Sequence, residues 1–349
     1  MSRPRKVKRI YDPTGYLDFG TLWGYDLFIM FVIGARGIGK TFNALRYSIE
    51  HGINTIYVRR TKEESEIACG RESNVLSEVV EFLGEGYRTE RIEGAEIVTY
   101  RVYKGDDIRC DIAFEALTTF HKIRSIGLHK FDCIIYDEFI PEKIARRIKN
   151  EADAFNNMAE TVNRNRELKG QKPTKIFCLS NSNNIYNDIL AFYNLIPKLV
   201  KMQQNREEIF IDRTRGIGLI YPLHSPISER KKNTALYKAL EGTDYGEMAL
   251  YNNFDNVPEY PFIRSQSLAE YKPRIRIGEL TIYEHKSDFK CYITFHKSGS
   301  VRTLEVNTEN MKQFRKLQIG KMVIATFFIH ECYFENVKAF MLWKQYAEL

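Results

Sequence analysis

The sequence predicts an α/β protein with a mainly parallel sheet, followed by a helical linker and a small α+β domain. Three observations predict this order. Short runs of branched and aromatic residues alternate with helical patterns, as in parallel strands joined by covering helices. The run CIIY at 133–136 is apolar throughout, which indicates a strand buried on both faces. The alternation stops after about residue 222, which predicts a different architecture for the remainder.

The first 222 residues are predicted to form one domain. Its predicted strands cover 28–33, 55–58, 131–136, 175–179 and 208–212, with a hairpin over 97–103 and 108–114 around a KGDD turn. Its predicted helices cover 40–51, 61–85 and 142–168. Ligands of parallel sheets bind at the carboxyl ends of the strands. Gly34, Asp137, Glu138 and Asn181 all fall at such ends.

The rest of the chain is predicted to contain a linker and a second domain. Residues 223–256 are polar and helical in pattern, and 257–349 are predicted to form an α+β nucleic-acid-binding domain. Its expected strands cover 275–283, 289–295, 301–306 and 321–328, and a helix is expected near 335–347. A KSGS turn is expected to join the second and third of these strands as a hairpin.

The most informative stretch is the first strand together with the loop after it. Residues 34–41 read G-x-x-x-x-G-K-[ST], between an apolar strand and a helical pattern. Glycines let successive N–H groups point at one anion, and the helix adds its positive dipole end. Gly34, Ala35, Arg36, Gly37, Ile38, Gly39, Lys40 and Thr41 are therefore the expected nucleotide-binding residues. Lys40 would contact the β- and γ-phosphates and Thr41 would ligate Mg²⁺; the alternative is a chance glycine turn.

Two carboxylates come directly after the apolar strand at 131–136. Asp137 is expected to hold Mg²⁺ opposite Thr41. Glu138 is expected to orient and deprotonate an attacking water. A solvated strand end is the other interpretation of this pair. Asn181 ends the next strand and would contact the γ-phosphate or the water, unless it simply begins a turn.

Three arginines are candidates for a residue that acts on a neighbouring subunit's phosphates. Arg164 and Arg166 lie two apart on a predicted helix and so point in different directions. One is expected to be an arginine finger and the other to form a structural ion pair, and an exposed basic helix end explains both equally well. Arg124 is a further candidate, just before the strand that carries Asp137.

Charge and cysteine content narrow the classes of partner. The formal charge of +7 is compatible with an anionic partner, and part of it is concentrated in a basic run within the first ten residues. That run is either a nucleic-acid arm or a solvated terminus. The six cysteines contain no C-x-x-C pair, so a reduced, intracellular protein is expected. Neither a signal peptide nor an apolar run near 18 residues is present, and no membrane partner is expected.

These motifs together resemble the DNA-packaging ATPases of phi29-like tailed phages. The resemblance covers about 28–256 and is found in FVIGARGIGK (31–40), YVRR (57–60), DEF (137–139), RNRE (164–167), CLSN (178–181) and GTDYGEM (242–248). The first and third of these are common to many ATPases, whereas RNRE with CLSN and GTDYGEM is far more specific. The last ninety residues resemble the family in length and β-rich pattern alone.

The resemblance implies an ASCE-type P-loop ATPase that uses ATP and Mg²⁺ to translocate double-stranded DNA. It implies a homopentameric ring on the portal vertex of the procapsid, in the host cytoplasm, with a structural packaging RNA as a further partner in some motors. It places the finger on Arg164 and suggests that Arg124 is a second trans-acting residue, although a lysine can occur there. It also implies an RNase H-like second domain that is a vestigial nuclease, and no D-x-D or D-x-E lies on a predicted strand of 257–349.

Two other functions are compatible with parts of the sequence. A P-loop switch or kinase would act on a small molecule or a protein, and would need no arginine from an identical neighbour. A GTPase would also need an N-K-x-D base reader, which the sequence lacks. A structural DNA-binding protein with an inactive P-loop would be expected to lack Lys40 or Glu138, and both are present.

Overall fold

A computed structural model describes residues 10–123, 127–142, 148–181, 187–223, 225–243, 246, 250, 262–298 and 301–347. The chain divides into two compact units. The first unit contains Met1–Ile185 and Leu199–Asn256, and the second contains Tyr186–Lys198 and Val257–Leu349. The second unit therefore takes residues 186–198 from within the predicted first domain.

The first unit is built on a mixed sheet whose described strands run in the order β3-β4-β5-β2-β6-β7-β1-β9-β8. The strand bounds are β1 Ile29–Ile33, β2 Thr55–Arg59, β3 Tyr87–Arg91, β4 Thr99–Lys104, β5 Asp107–Ala116, β6 Cys133–Asp137, β7 Lys175–Ser180, β8 Ile209–Asp212 and β9 Ile217–Ile220. The six from β5 to β9 in this order pair in parallel, whereas the pairs β3–β4, β4–β5 and β8–β9 are antiparallel. The predicted mainly parallel sheet is confirmed.

Helices accompany this sheet, and the ranges predicted to be helical, 40–51, 61–85 and 142–168, contain helices with shorter bounds. The first unit contains α1 Phe19–Trp23, α2 Lys40–Glu50, α3 Lys62–Ala68, α4 Ser77–Leu83, α5 Glu151–Asn163, α8 Pro226–Lys231, α9 Ala235–Ala239 and most of α7 Ile196–Asn205. Helix α6, Asp188–Phe192, belongs to the second unit. Helices α1, α6 and α7 were not predicted. The single helix predicted over 61–85 is wrong, because the Asn74 side chain accepts from the Leu76 N–H at 3.0 Å in a turn that starts a second helix.

The helix predicted over 142–168 is also too long. It starts at Glu151, after Asn150, whose φ of 55° is left-handed. It ends at Asn163, because Arg164 has a φ of 40° that no α-helix contains. Residues 143–147 of the predicted helix lie outside the described residues.

Strands β3 and β9 were not predicted. Strand β9 pairs in parallel with β1 and is buried at all four positions. It is only four residues long and contains Gly218, where an added Cβ would lie 2.8 Å from the Leu27 side chain. Because β9 is short and contains a glycine, it lacks the continuous apolar run from which a strand is predicted. Strand β8, predicted as a main strand, is instead the antiparallel neighbour of β9.

The core of the first unit consists of the apolar strands that were predicted to be buried on both faces. Strands β1 and β6 are buried at every position. Cys133 and Cys178, predicted as core residues, are fully buried. All six cysteines are buried free thiols.

The second unit contains a smaller sheet with the described order β13-β10-β11-β12-β14. Its elements are β10 Tyr271–Ile277, β11 Leu280–His285, β12 Cys291–Thr294, β13 Thr303–Leu304, α10 Thr308–Lys316, α11 Gln318–Phe328, β14 Cys332–Phe334 and α12 Val337–Ala347. An apolar core joins these strands to the helices. The unit is α+β, and its last helix lies where it was predicted.

Three predictions for the second unit are wrong. The strand predicted over 275–283 is two strands, because Gly278 turns the chain with a φ of 53°. The predicted hairpin around KSGS does not form, since β13 pairs with β10 rather than with β12. Residues 321–328 belong to helix α11, whose buried positions 319, 320, 323 and 326 have helical spacing. Within the described parts of the chain, no helix combines the length and the apolar character needed to cross a membrane.

Candidate active site

The glycine-rich segment 34–41, referred to below as the phosphate-type loop, connects β1 to α2, and its conformation depends on its glycines. Gly37 and Gly39 have φ values of 67° and 84°, which side chains rarely adopt. An added Cβ at Gly39 would lie 2.7 Å from the Asn43 amide nitrogen. The Gly34 N–H donates to the carbonyl of Ser180 on β7 at 3.1 Å, which holds the start of the loop against the sheet.

Lys40 lies at the centre of this loop. Its ammonium donates to the carbonyls of Gly34 and Ala35 at 2.9 and 2.8 Å and to Asn181 Oδ1 at 3.0 Å. The side chain is buried, and burial lowers the pKa of Lys40 to about 7, although Asp137 opposes the shift. The structure therefore brings together two of the predicted site residues, Lys40 at the start of α2 and Asn181 directly after β7.

The pair Thr41 and Asp137 lies across from Lys40. The Thr41 hydroxyl donates to Asp137 Oδ2 at 2.9 Å, and the Tyr57 hydroxyl donates to the same oxygen at 2.6 Å. Burial raises the pKa of Asp137, while these hydrogen bonds favour its charged form. Two oxygen ligands converge here, and Mg²⁺ prefers oxygen ligands. The donor set fits the predicted metal site.

Glu138 comes next, in an unusual backbone conformation. Its φ of 53° is left-handed, which is uncommon for a residue other than glycine. Arg59, at the end of β2, contacts Glu138 Oε2 at 2.5 Å and lies 3.6 Å from Asp137 Oδ2. The Glu138 side chain is 43% exposed, so the carboxylate remains accessible from the cleft.

These residues line a cleft of about 410 Å³ that also includes Arg36, Gly37 and Ser180. Its volume lies within the range of small-molecule sites. A glycine cradle, a buried lysine and two converging oxygen ligands fit a nucleotide with its Mg²⁺. Of the predicted site residues, those that line the cleft are Arg36, Gly37, Gly39, Lys40, Thr41, Asp137, Glu138 and Asn181. Gly34, Ala35 and Ile38 lie in the same loop but not on the cleft surface, and Ile38 is fully buried in an apolar cluster.

The arginines separate into different environments. Arg166 is buried and donates to the carbonyls of Lys172, His129 and Phe131 at 2.8 to 3.0 Å and to Asp132 Oδ1 at 2.5 Å. It therefore has the structural role that was expected of one of the pair.

Arg164 is exposed and has the left-handed φ described above. Strained backbone of this kind is concentrated at functional sites. Arg124 lies outside the described residues.

Sequence reasoning missed three residues near the cleft. Tyr57 and Arg59 lie at the end of β2, which the topology places beside β6. The YVRR stretch (57–60) places polar residues near the end of a predicted strand, and this pattern could have indicated that they belong to the site. The third is Lys231, whose ammonium donates to the Arg36 carbonyl at 2.7 Å. It lies in the charged ERKK run, which gave no indication of its position.

The chain is similar to viral DNA-packaging proteins. The family model of the Podovirus DNA encapsidation protein (Gp16) matches residues 11–317. The chain is similar to the DNA packaging proteins of Bacillus phages PZA and phi29, at 31% identity over 235 residues that are 66% of this chain and 63% of each relative. The DNA packaging protein of Bacillus phage B103 is similar at 31% over 237 residues, 66% of both chains. The match thus covers less than two thirds of the length of these relatives.

Two solved structures have the same fold. The bacteriophage Phi-29 viral genome packaging motor assembly matches with a TM-score of 0.61 and 23% identity, over 95% of this chain and 99% of that one. The Phi-28 gp11 DNA packaging motor matches with a TM-score of 0.59 and 16% identity, over 95% and 97%. The family model covers most of the chain, and this protein therefore belongs to the Podovirus DNA encapsidation protein (Gp16) family.

Proposed function

We propose that the protein is a ring-forming ATPase motor that hydrolyses ATP to translocate viral double-stranded DNA into a procapsid. The observation that carries the proposal is the convergence of Lys40, Thr41, Asp137 and Glu138 on one cleft. This set of residue types is what phosphoryl transfer to water requires. Family membership supplies the DNA-packaging context.

Each residue then has a defined task. The loop 34–41 binds the phosphates with its backbone N–H groups, and Lys40 compensates the charge of the β- and γ-phosphates. Thr41 and Asp137 would hold Mg²⁺, which neutralises charge on the phosphates when bound. Glu138 accepts a proton from the attacking water. Asn181, which already contacts Lys40, orients the γ-phosphate or the water.

The proposal includes a ring, because one catalytic residue is taken from a neighbour. Arg164 is exposed at the end of α5 and would complete the adjacent subunit's site as an arginine finger. Arg124 is proposed as a second trans-acting residue. A pentamer on the portal vertex, docked there in the host cytoplasm and assisted in some systems by a packaging RNA, is the assembly that the family resemblance implies.

The second unit is proposed to be a vestigial RNase H-like nuclease domain that binds nucleic acid without cutting it, attached to an ASCE-type ATPase domain. Two carboxylates expected of such a nuclease are taken up by cations. Glu284 contacts Arg274 at 2.9 Å and Lys272 at 3.8 Å, and Asp288 contacts Lys290 at 2.9 Å.

The experiment is to measure ATPase activity of the purified full chain with and without double-stranded DNA, on protein whose assembly is sized by mass. We expect Mg²⁺-dependent hydrolysis that DNA stimulates, and its loss in Lys40→Ala, which lacks the cation over the phosphates. A switch or kinase predicts no stimulation by DNA. Near-normal turnover in Lys40→Ala would contradict the assignment of the site itself.

A further inference from the structure

Helix α8 packs directly on the phosphate-type loop. Ile227 on the helix forms a buried apolar cluster with Ala35 and Ile38 of the loop. Just before the helix, the Ser225 hydroxyl donates to the Gly15 carbonyl at 3.1 Å. The helix is thus anchored on both sides, and the position of its last residue is defined by the loop.

That last residue, Lys231, extends into the loop. Its ammonium donates to the Arg36 carbonyl at 2.7 Å. It also occupies the space that a Cβ on Gly37 would need, so only a glycine leaves room for it. A lysine from the predicted linker therefore occupies the turn that Gly37 opens in the middle of the 34–41 loop.

Besides the Arg36 carbonyl, the ammonium of Lys231 faces the ring of Tyr237, whose centre is 5.9 Å away. In the described portion of the chain, no carboxylate forms an ion pair with it, whereas the neighbouring Lys232 contacts Glu229 at 2.7 Å. Burial lowers the pKa of Lys231, and its charge contributes to lowering the pKa of Lys40. Lys40 and Lys231 contact the same loop and repel each other. An anion bound between them would be attracted by both.

We propose that Lys231 binds a β- or γ-phosphate of the nucleotide in the 34–41 loop, and so couples nucleotide binding to helix α8. This inference rests on the proposed function, since it assigns a further binding residue to the same site. Helix α8 lies in the covalent segment between the loop and residue 257, where the second unit resumes. A phosphate contact from Lys231 therefore joins nucleotide occupancy to the segment that leads into the second unit.

The test compares Lys231→Met with wild type, in the full chain. Calorimetric binding of ATP, ADP and AMP is measured with each protein. We expect Lys231→Met to weaken ATP binding about tenfold, which corresponds to about 1.4 kcal/mol. ADP binding should weaken by the same factor if Lys231 contacts the β-phosphate, and should stay unchanged if it contacts only the γ-phosphate. AMP binding should stay unchanged, because AMP carries neither the β- nor the γ-phosphate.

Two further variants control for charge and for position. Lys231→Arg keeps the cation and should retain most of the affinity. Lys232→Met removes the adjacent lysine, which contacts Glu229 rather than the loop, and should bind all three nucleotides within about twofold of wild type. Hydrogen exchange of residues 225–232 should slow on ATP binding in wild type and not in Lys231→Met.

The results that overturn the inference differ from those that overturn the proposed function. If wild type binds ATP, and Lys231→Met binds ATP and ADP with the same affinities as wild type, Lys231 contacts no phosphate. If Lys231→Met loses AMP affinity as much as ATP affinity, together with thermal stability, Lys231 is a structural support of the loop. If wild type itself binds no ATP, the proposed function fails.

Discussion

The strand-end carboxylates of the two units differ in what contacts their oxygens. In the first unit, Asp137 accepts hydrogen bonds from two hydroxyls, Thr41 at 2.9 Å and Tyr57 at 2.6 Å, beside a glycine-rich loop. In the second unit, Glu284 contacts two cations, Arg274 and Lys272, within a β-sheet. Arg59, 3.6 Å from Asp137 Oδ2, also compensates part of the Asp137 charge. The two carboxylates therefore differ in their hydroxyl donors and in the adjacent loop, rather than in whether a cation is near.

This difference shows why a carboxylate at the end of a strand does not by itself indicate a catalytic site. Glu138 also has a cationic neighbour in Arg59, but its side chain is 43% exposed and lines the cleft. Glu284 is 24% exposed and holds two cations. The feature that distinguishes the site of the first unit is the adjacent phosphate-type loop, rather than the carboxylate.

The largest effect is expected from Arg164 and Glu138, which should act in different subunits. Arg164→Ala alone should bind ATP and lose about 10³- to 10⁵-fold in turnover, since a finger stabilises charge on the transferring phosphoryl group. Glu138→Gln alone should bind ATP and be inactive, because an amide cannot accept the proton. Mixing the two should restore ATPase activity, with a maximum near equal amounts.

The mixing experiment requires independent proof of subunit exchange, for instance with labelled protomers. Restored activity means that a Glu138→Gln subunit lends Arg164 to a neighbour. If exchange occurs and activity stays absent at every ratio, the trans assignment of Arg164 is wrong, and Arg124 becomes the next candidate.

A smaller effect is expected from Tyr57, whose hydroxyl contacts Asp137, the proposed metal-binding carboxylate. Tyr57→Phe removes the hydroxyl that contacts Asp137 at 2.6 Å. Loss of such a supporting contact typically costs about 10- to 100-fold in metal affinity or activity. We expect the Mg²⁺ concentration for half-maximal ATPase to rise within that range, while nucleotide binding in EDTA stays unchanged.

Tyr136→Phe provides the matched control for this prediction. Its hydroxyl donates to Glu151 at 2.9 Å within a buried contact with Arg60, away from the proposed metal ligands. This variant should lower thermal stability and leave the Mg²⁺ dependence as in wild type. An unchanged Mg²⁺ requirement in Tyr57→Phe would show that Tyr57 does not position Asp137.

The main site could be predicted because its signals are local in sequence. A loop of fixed spacing and a carboxylate pair after an apolar strand each depend on a few consecutive residues. Parallel strands then bring their carboxyl ends to one edge, so Lys40, Asp137 and Asn181 had to approach each other. The structure adds the distances and the hydroxyl contact from Tyr57, which no short motif encodes.

The remaining features depend on tertiary packing. Lys231 contacts the loop because Ile227 packs against Ala35 and Ile38, residues almost 190 positions earlier. The apolar stretch 321–328 satisfies both strand and helix patterns over eight residues, and packing against the second unit's sheet selects the helix. The difference between Arg164 and Arg166 likewise depends on where helix α5 ends.

The burial of Arg166 and the exposure of Arg164 predict different effects of their substitution on the free energy of unfolding. Arg166→Ala would remove the donor to three backbone carbonyls, of which the Phe131 carbonyl is buried and the other two are partly buried. The Phe131 carbonyl would keep the Thr174 hydroxyl at 3.3 Å as a donor. Each buried polar atom left unpaired costs about 1–3 kcal/mol, so we expect a loss of about 2 kcal/mol or more in the free energy of unfolding. Arg164→Ala, which removes an exposed side chain, should lower the free energy of unfolding less than Arg166→Ala does in a denaturant titration. Equal losses would contradict the distinction between the two arginines.

The smallest effect is expected in the second unit, where Glu284→Gln tests whether that carboxylate has any catalytic role. The change breaks contacts with Arg274 and Lys272 that lie near the surface, and such pairs are worth about 0–1 kcal/mol. ATPase activity should stay within about twofold of wild type, whereas Glu138→Gln abolishes it.

The two cations released from Glu284 become available to phosphates, and one negative charge is removed. DNA binding by the full-length variant should therefore strengthen slightly, and its dependence on salt should become steeper. A working nuclease predicts the opposite pattern on plasmid DNA: wild type would nick it with Mg²⁺ or Mn²⁺, and Glu284→Gln would not. Nicking that disappears in this variant would make Glu284 a metal ligand and the second unit an active nuclease. Intact plasmid with both proteins, together with tighter binding by Glu284→Gln, is the result expected of a module that grips phosphate without cutting it.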